Sequence, residues 1–358
     1  MNFKNIDYKI LSIVSVLFLI GIFSLSDKGL FNKVPAYSHN LIYKQIFWFI
    51  ISLSIFFISH WLGYQRFIEL SPFLYLFSLC LLLLVLLIGP IKSGAQRWLH
   101  FGGLNFQPAE FSKLAAILIL TRYFVFHKDE IKKTKIFFIS LGMILPLAGL
   151  IFIQPDLGSA FILFPVFICL SLLCGVKKKN LLILFLLAIL FSPLFWGILK
   201  DYQKKRLLVF INPHIDPLGA GYTIIQAKIA IGSGRLWGKW WWKGDNQFSF
   251  LPESHTDFIF ASLGEKWGFL GGALVILLYY LLVKKIIEAG ILAHNLAERV
   301  LAVGVATLIF SHFFINIGMC LGILPVVGIP LPFISYGGSN LVVNMLALGM
   351  VSSFKKEV

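Results

Sequence analysis

The sequence predicts an all-α polytopic membrane protein of about ten transmembrane helices, and three observations predict it. Apolar residues make up 58% of the 358-residue chain and charged residues only 13%, about half the charged share of a soluble globular domain. Apolar runs approaching or meeting the roughly 17–25 residues needed to cross a bilayer recur along the whole chain. Lys and Arg gather in short clusters between those runs. A water-soluble domain could not hide this much apolar side chain in one core, so lipid has to serve as the solvent.

The runs begin near Ile10, Tyr43, Ser71, Pro108, Ile136, Leu157, Asn180, Glu265, Arg299 and Asn340, the last being the shortest. The first lacks a small-residue cleavage site and is followed by further spans, so it reads as a helix that stays in the chain. With both termini in the cytoplasm, sixteen Lys and Arg fall on that side and six in or beside the short outer loops. The remaining nine lie in or just after the long segment 200–264, which translocates largely regardless of charge. That segment is the large extracytoplasmic loop between spans seven and eight. Within it Gly219 to Gly234, GAGYTIIQAKIAIGSG, is too short to span and holds Lys228 at its middle. It reads as an interfacial or re-entrant helix. Trp237, Trp240, Trp241 and Trp242 follow, at a level where backbone meets headgroups. The net charge of +15 fits an anionic inner leaflet better than a nucleic-acid groove. Cys80, Cys169, Cys174 and Cys320 all lie in apolar runs without metal-type spacing, and read as small buried hydrophobes.

Each ionisable residue at membrane depth needs a reason. Three stretches stand out, all at the outer face of this topology. Leu251 to Gly264, LPESHTDFIFASLG, puts Glu253, His255 and Asp257 at the entrance to an apolar helix. A partly desolvated carboxylate there is a candidate general base; alternatively, Thr256 and Asp257 cap the helix. In Gly94 to Lys113, Trp98 lies in an outer loop, and Glu110 and Lys113 sit three apart just after Pro108 starts a helix. They read either as an ion pair buried together or as part of a polar cavity for a charged headgroup. The third comprises Gln154 to Ser159, with Asp156 heading a helix, and Pro332 to Ser339. In the latter, Ser335 and Ser339 offer hydroxyls, while Gly337 and Gly338 either expose amides to an anion or let helices pack closely.

Taken together, GAQRW, FQPAEFSK, QPDLGSA, GYTIIQAKIAIGSG, LPESHTDFIFA and SYGGSN stand in the order found in the SEDS family (shape, elongation, division, sporulation). The chain resembles that family from Gly94 to Asn340 by motif and over residues 1–358 by hydropathy, as a single SEDS-type membrane domain. Its compact termini and the GYTIIQAKIAIGSG wording resemble the elongation branch (RodA) more than the division branch (FtsW). The resemblance implies a peptidoglycan glycosyltransferase that polymerises lipid II at the outer face of the cytoplasmic (inner) membrane. It also implies a class B penicillin-binding protein transpeptidase as partner, with other elongation-machinery membrane proteins. The family's essential loop aspartate maps onto Asp257 and its important tryptophan onto Trp98. Its Glu and Lys of the Q-P-x-E-x-x-K stretch map onto Glu110 and Lys113, and its Q-P-D aspartate onto Asp156. Two departures are the tryptophan-rich Gly234 to Lys243, and Lys266 where the family usually has a second acidic residue.

Glycosyl transfer needs a base for the acceptor hydroxyl and positive charge for the leaving diphosphate. Asp257 is the expected base, with Trp98, Glu110 and Lys113 shaping the cavity. Arg97, Lys113, Lys228 or a divalent cation (Mg or Mn) could supply the charge. Asp156, Glu253, His255 and the SYGGS residues are further binding candidates. A lipid II flippase or other transporter is the main rival, and a scaffold that only recruits the transpeptidase is another. Transporters place charge at mid-membrane within repeated halves, and no repeat is evident in this sequence.

Overall fold

The computed structural model describes residues 6–25, 36–92, 95–101, 104–217, 219–239 and 251–354. Trp240, Trp241 and Trp242 therefore lie outside the described residues. The fold is predominantly helical. In chain order the helices are α1 (Tyr8–Leu25), α2 (Ala36–Leu62), α3 (Tyr64–Glu69), α4 (Ser71–Ile88), α5 (Pro108–Phe126) and α6 (Thr134–Ile153). Then come α7 (Leu157–Leu173), α8 (Lys178–Ile198), α9 (Asp201–Ile211), α10 (Ala220–Ser233), α11 (Ile259–Ile291), α12 (Leu296–Cys320) and α13 (Gly338–Ser352). Every apolar run seen in the sequence falls on one of these helices. Among the described residues six, namely α1, residues 40–62 of α2, α4, α6, α11 and α12, are long and apolar enough to cross a membrane. Large side chains such as Phe73, Leu87, Phe126, Leu190 and Phe269 stand exposed on the outside. Only lipid can cover such a belt, since backbone-satisfied helices turned apolar-side-out are the membrane solution.

Among the described residues the departure from all-α is the stretch before α5, which holds two small antiparallel strand pairs. β1 (Ile91–Lys92) pairs with β2 (Ala95–Gln96), and β3 (Leu99–Phe101) pairs with β4 (Leu104–Phe106). Strands outside the apolar core need only satisfy their own backbone, and a hairpin does so locally. Pro108 then begins α5, where its missing N–H costs nothing. Helix α12 is the central post, packing against α5, α7, α11 and α13, with Asn295 capping its start by accepting from the Glu298 amide at 2.9 Å.

Helix α11 starts at Ile259, earlier than the apolar run suggests, and breaks at Gly268, where φ is +67°. Broken backbone at membrane depth needs partners, and residues 235–239 provide them. Phe269 N–H donates to the Arg235 carbonyl at 2.8 Å and Leu270 N–H to that of Leu236 at 3.2 Å. Lys239 N–H donates to the Glu265 carbonyl at 3.0 Å, and the Lys239 ammonium pairs with the Glu265 carboxylate at 2.8 Å. Only glycine fits at 268, because its φ is left-handed and a Cβ would strike the docked loop. Lys266, the departure noted in the sequence, donates from Nζ to the Ser24 carbonyl at 2.6 Å and so closes the C-terminal end of α1.

Candidate active site

The heads of α7 and α11, together with α9 and the connection between α12 and α13, converge at one end of the bundle. The Asp257 side chain does not cap α11. The N-cap is Phe258, and no side-chain cap bond forms; among the described residues nothing hydrogen-bonds the Asp257 carboxylate. It is half-buried, beside Gly328, where a Cβ would lie 3.2 Å from Oδ2. Burial, then the like charge of Glu253, push its pKa up to about 6, with Arg206 and Arg97 acting in the opposite direction. A carboxylate left unpaired and poised near neutrality suits a general base.

Two arginines face the same space. The Arg97 guanidinium donates to the Pro155 carbonyl and lies 4.0 Å from Asp156. Arg206, on α9, stacks over the Tyr202 ring at 5.8 Å and reaches the Val326 carbonyl at 3.4 Å. Burial first, then the like charge of Arg97, lower the Arg206 pKa. A small cavity of about 20 Å³ lies among Arg97, Pro155, Tyr202, Arg206 and Val326. Next to it an apolar groove of about 550 Å³ runs between α6, α7, α8 and α12, lined by Phe152, Phe161, Phe164, Trp196 and others. The two share Leu157, Leu207, Pro325 and Val327 in their walls. An apolar groove adjoining a cavity lined by two guanidinium groups suits an amphiphile with an anionic head.

Asp156 both caps and positions. Its Oδ1 accepts from the Ser159 amide at 3.3 Å and its Oδ2 from the Gln107 side chain at 3.0 Å. Glu110 and Lys113 lie elsewhere, deep in the helices, at 2% and 1% exposure. They pair at 2.7 Å, and Lys113 also meets His312 Nε2 at 2.7 Å. His312 Nδ1 faces the Leu308 carbonyl at 2.8 Å. A carbonyl can only accept, so Nδ1 carries the proton and Nε2 accepts from the lysine. Asn340 donates to Glu110 Oε2 at 2.8 Å, and Asn344 donates back to Asn340. This is a closed ion cluster, and the expected role of these two residues as walls of an open cavity is corrected accordingly: each charge is used up on a neighbour.

The full-length pattern now has a counterpart among known proteins. A model of the FtsW/RodA/SpoVE family, described as cell cycle protein, matches residues 7–358. The chain belongs to this family. It is 42% identical over 289 residues to peptidoglycan glycosyltransferase MrdB of Escherichia coli K12, covering 79% of this chain and 77% of that protein. It is 30% identical to peptidoglycan glycosyltransferase RodA of Treponema pallidum, covering 98% and 97%. Among solved structures it resembles a chain of a peptidoglycan synthase complex described as coordinating polymerization and crosslinking. That likeness has a TM-score of 0.82, 30% identity and 97% coverage of both chains.

Within this family member the SYGGS stretch serves packing. Gly338 lies under the Trp48 indole, where a Cβ would collide, and the Gly337 amide faces Gln45 Oε1 at 3.4 Å. Of the two readings left open for these glycines, Gly338 serves close helix approach, while the Gly337 amide is taken by Gln45. Ser339 accepts from the Gln107 amide and donates to the Asn105 carbonyl, fixing the second hairpin. Ser335 donates to the Thr256 carbonyl at 2.6 Å, and the His255 carbonyl accepts from the Tyr336 amide at 2.9 Å. Glu253 is exposed at φ +53° and accepts from the Thr256 hydroxyl at 3.1 Å. Trp98 is half-buried beside Arg97. Lys228 is exposed, its stem lying over Gly322 at the end of α12. The reading from sequence passed over Arg206, His312 and Asn316. Asn316 carried one available signal, a polar residue inside an apolar span.

Proposed function

We infer that this chain is a RodA-like peptidoglycan glycosyltransferase that polymerises lipid II, and that Asp257 is its general base. The observation that carries this reading is the uncapped Asp257 carboxylate, within electrostatic reach of Arg206 and Arg97, which themselves line a small cavity adjoining an apolar groove. The acceptor sugar hydroxyl attacks the donor's anomeric carbon while Asp257 takes its proton. The new C–O bond forms as the bond to the lipid diphosphate breaks. Arg97 and Arg206 receive the charge of the leaving diphosphate, and the groove receives part of the prenyl chain. Negative charge at Asp257 also favours an oxocarbenium-like transition state.

The proposed setting is the cytoplasmic membrane. Ten helices (α1, α2, α4 to α8 and α11 to α13) span it, both termini lie inside, and the Asp257 end faces outward. The excess of Lys and Arg in the opposite loops supports that orientation. Helices α9 and α10 belong to the long outer loop, α10 as its interfacial helix, and the chain forms one membrane domain. A class B penicillin-binding protein is the proposed partner, within the elongation machinery. Among the described residues no three His, Cys, Asp or Glu side chains gather closely enough to hold a metal. A Mg or Mn requirement would thus be met by an ion carried on the diphosphate and touching Asp257 or Glu253.

The test is reconstitution of the purified chain in liposomes with labelled lipid II, with and without the transpeptidase. Glycan strands are the expected product. Movement of the label across the bilayer without polymer would make the chain a flippase, and partner binding without either would make it a scaffold.

A further inference from the structure

We propose that Asn316 is a positioning residue for the transferase reaction, holding the Asp257 loop and the wall beside its carboxylate in register. This rests on the reading of Asp257 as the base. The Asp257 carboxylate has no hydrogen bond of its own among the described residues, so its place depends on its backbone. That backbone is held from below. Asn316 is fully buried on the central helix α12, one turn beyond His312 and one turn before Cys320. Its Nδ2 carries two hydrogens, and both are used. One goes to the Asp257 carbonyl at 2.8 Å and the other to the Ile329 carbonyl at 2.7 Å. Both partners are carbonyls, which only accept, so the amide can sit only with its nitrogen toward them.

The two carbonyls come from different segments, 251–258 ahead of α11 and 321–337 after α12. Ile329 directly follows Gly328, the left-handed residue at φ +74° against which the Asp257 carboxylate rests. One amide group thus holds both the base and the surface that positions it. Ser335 adds a second tie at the adjacent residue, donating to the Thr256 carbonyl at 2.6 Å and accepting from the Leu331 amide at 2.8 Å. Among common side chains, the terminal amides of Asn and Gln present two hydrogens on one neutral nitrogen. Asn is the shorter of the two, which suits two carbonyls less than 3 Å away.

Glycosyl transfer is sensitive to such placement, since a displacement of about 1 Å costs about 10²-fold in rate. Asn316→Leu keeps the branching and heavy-atom count of the side chain and removes both hydrogen bonds. In the full-length protein with its transpeptidase, we expect kcat for labelled lipid II polymerisation to fall about 10²-fold, with KM within about threefold of wild type. Detergent monodispersity and capture of the transpeptidase should be unchanged. Ser335→Ala, which loosens only the neighbouring tie, should give a smaller fall of the same kind, and it carries the test if Asn316→Leu does not fold. A folded Asn316→Leu protein (or Ser335→Ala in its place) working at the wild-type kcat overturns the proposal. So does a loss confined to KM. A wild-type protein that makes no polymer refutes the transferase reading itself, which keeps the two failures distinct.

Discussion

The molecule holds two sets of carboxylates and cations that look alike in sequence and differ in how they are satisfied. In the Glu110–Lys113–His312–Asn340 cluster each charge meets an opposite charge or hydrogen-bond partner, and the pair is 2% and 1% exposed. Around Asp257 the carboxylate is bare, half-buried and shares its space with Glu253, Arg206 and Arg97. A satisfied network has no capacity left for a substrate and ties α5, α12 and α13 together. A carboxylate with no hydrogen bond of its own among the described residues, close to Arg206 and to an Arg97 that is paired with Asp156 at 4.0 Å, is the arrangement that chemistry needs.

The sharpest way to break this comparison is to remove one partner from the closed cluster. Lys113→Met strands the Glu110 charge in the helices, and losing one member of a buried pair costs about 3–5 kcal/mol. Thermal unfolding in detergent should show a collapse in folded yield, partly recovered in Lys113→Met/Glu110→Gln. Equal loss in the double variant would show that the stranded Glu110 charge is not what destabilises the single one. Arg206→Ala should leave the fold intact and raise KM for lipid II about 10- to 100-fold, the equivalent of one charge-assisted hydrogen bond of about 1.5–3 kcal/mol, as read in steady-state polymerisation. An unchanged KM would remove Arg206 from the diphosphate site.

Proton linkage sharpens the same contrast. A base works when ionised, so activity should be present above the Asp257 pKa of about 6 and fall as pH drops through it. Glu253→Gln removes a like charge and should move that acid limb to lower pH, while Arg206→Ala should move it higher. A pH–rate profile of the three proteins decides it. The smallest effect belongs to the glycines. Gly338→Ala meets the Trp48 indole and should cost about 1–3 kcal/mol, whereas Gly337→Ala, whose Cβ has its nearest neighbour 4.0 Å away at Asn340, should be tolerated. Thermal midpoints of the two variants report the difference.

Helix positions were legible in the sequence because a span is a long apolar run, and its minimum length is set by the bilayer. The short helix α10 was legible too, from its bounding glycines. The two hairpins before α5 were not, since strands of two or three residues leave no periodic pattern. Nor was the break at Gly268, which depends on a loop thirty residues upstream supplying hydrogen-bond partners. At the site, Asp257 stood out as a carboxylate at an apolar helix start, yet spacing could not separate cap from base; the Phe258 N-cap removes the capping alternative. Arg206 and Asn316 act through contacts with residues more than 50 positions away, which no local window contains. The three-residue spacing of Glu110 and Lys113 left a buried ion pair and a cavity wall both open. Their closure against His312 and Asn340 required the packed helices.

The most direct test is polymerisation of labelled lipid II by wild-type and Asp257→Asn proteins side by side, with the transpeptidase present and strands resolved on a glycan gel. The variant keeps shape and loses the base, so the rate should fall by about 10²- to 10⁴-fold while the protein stays folded and partner-bound. Strand synthesis by Asp257→Asn at the wild-type rate would contradict the assignment of Asp257 as the general base.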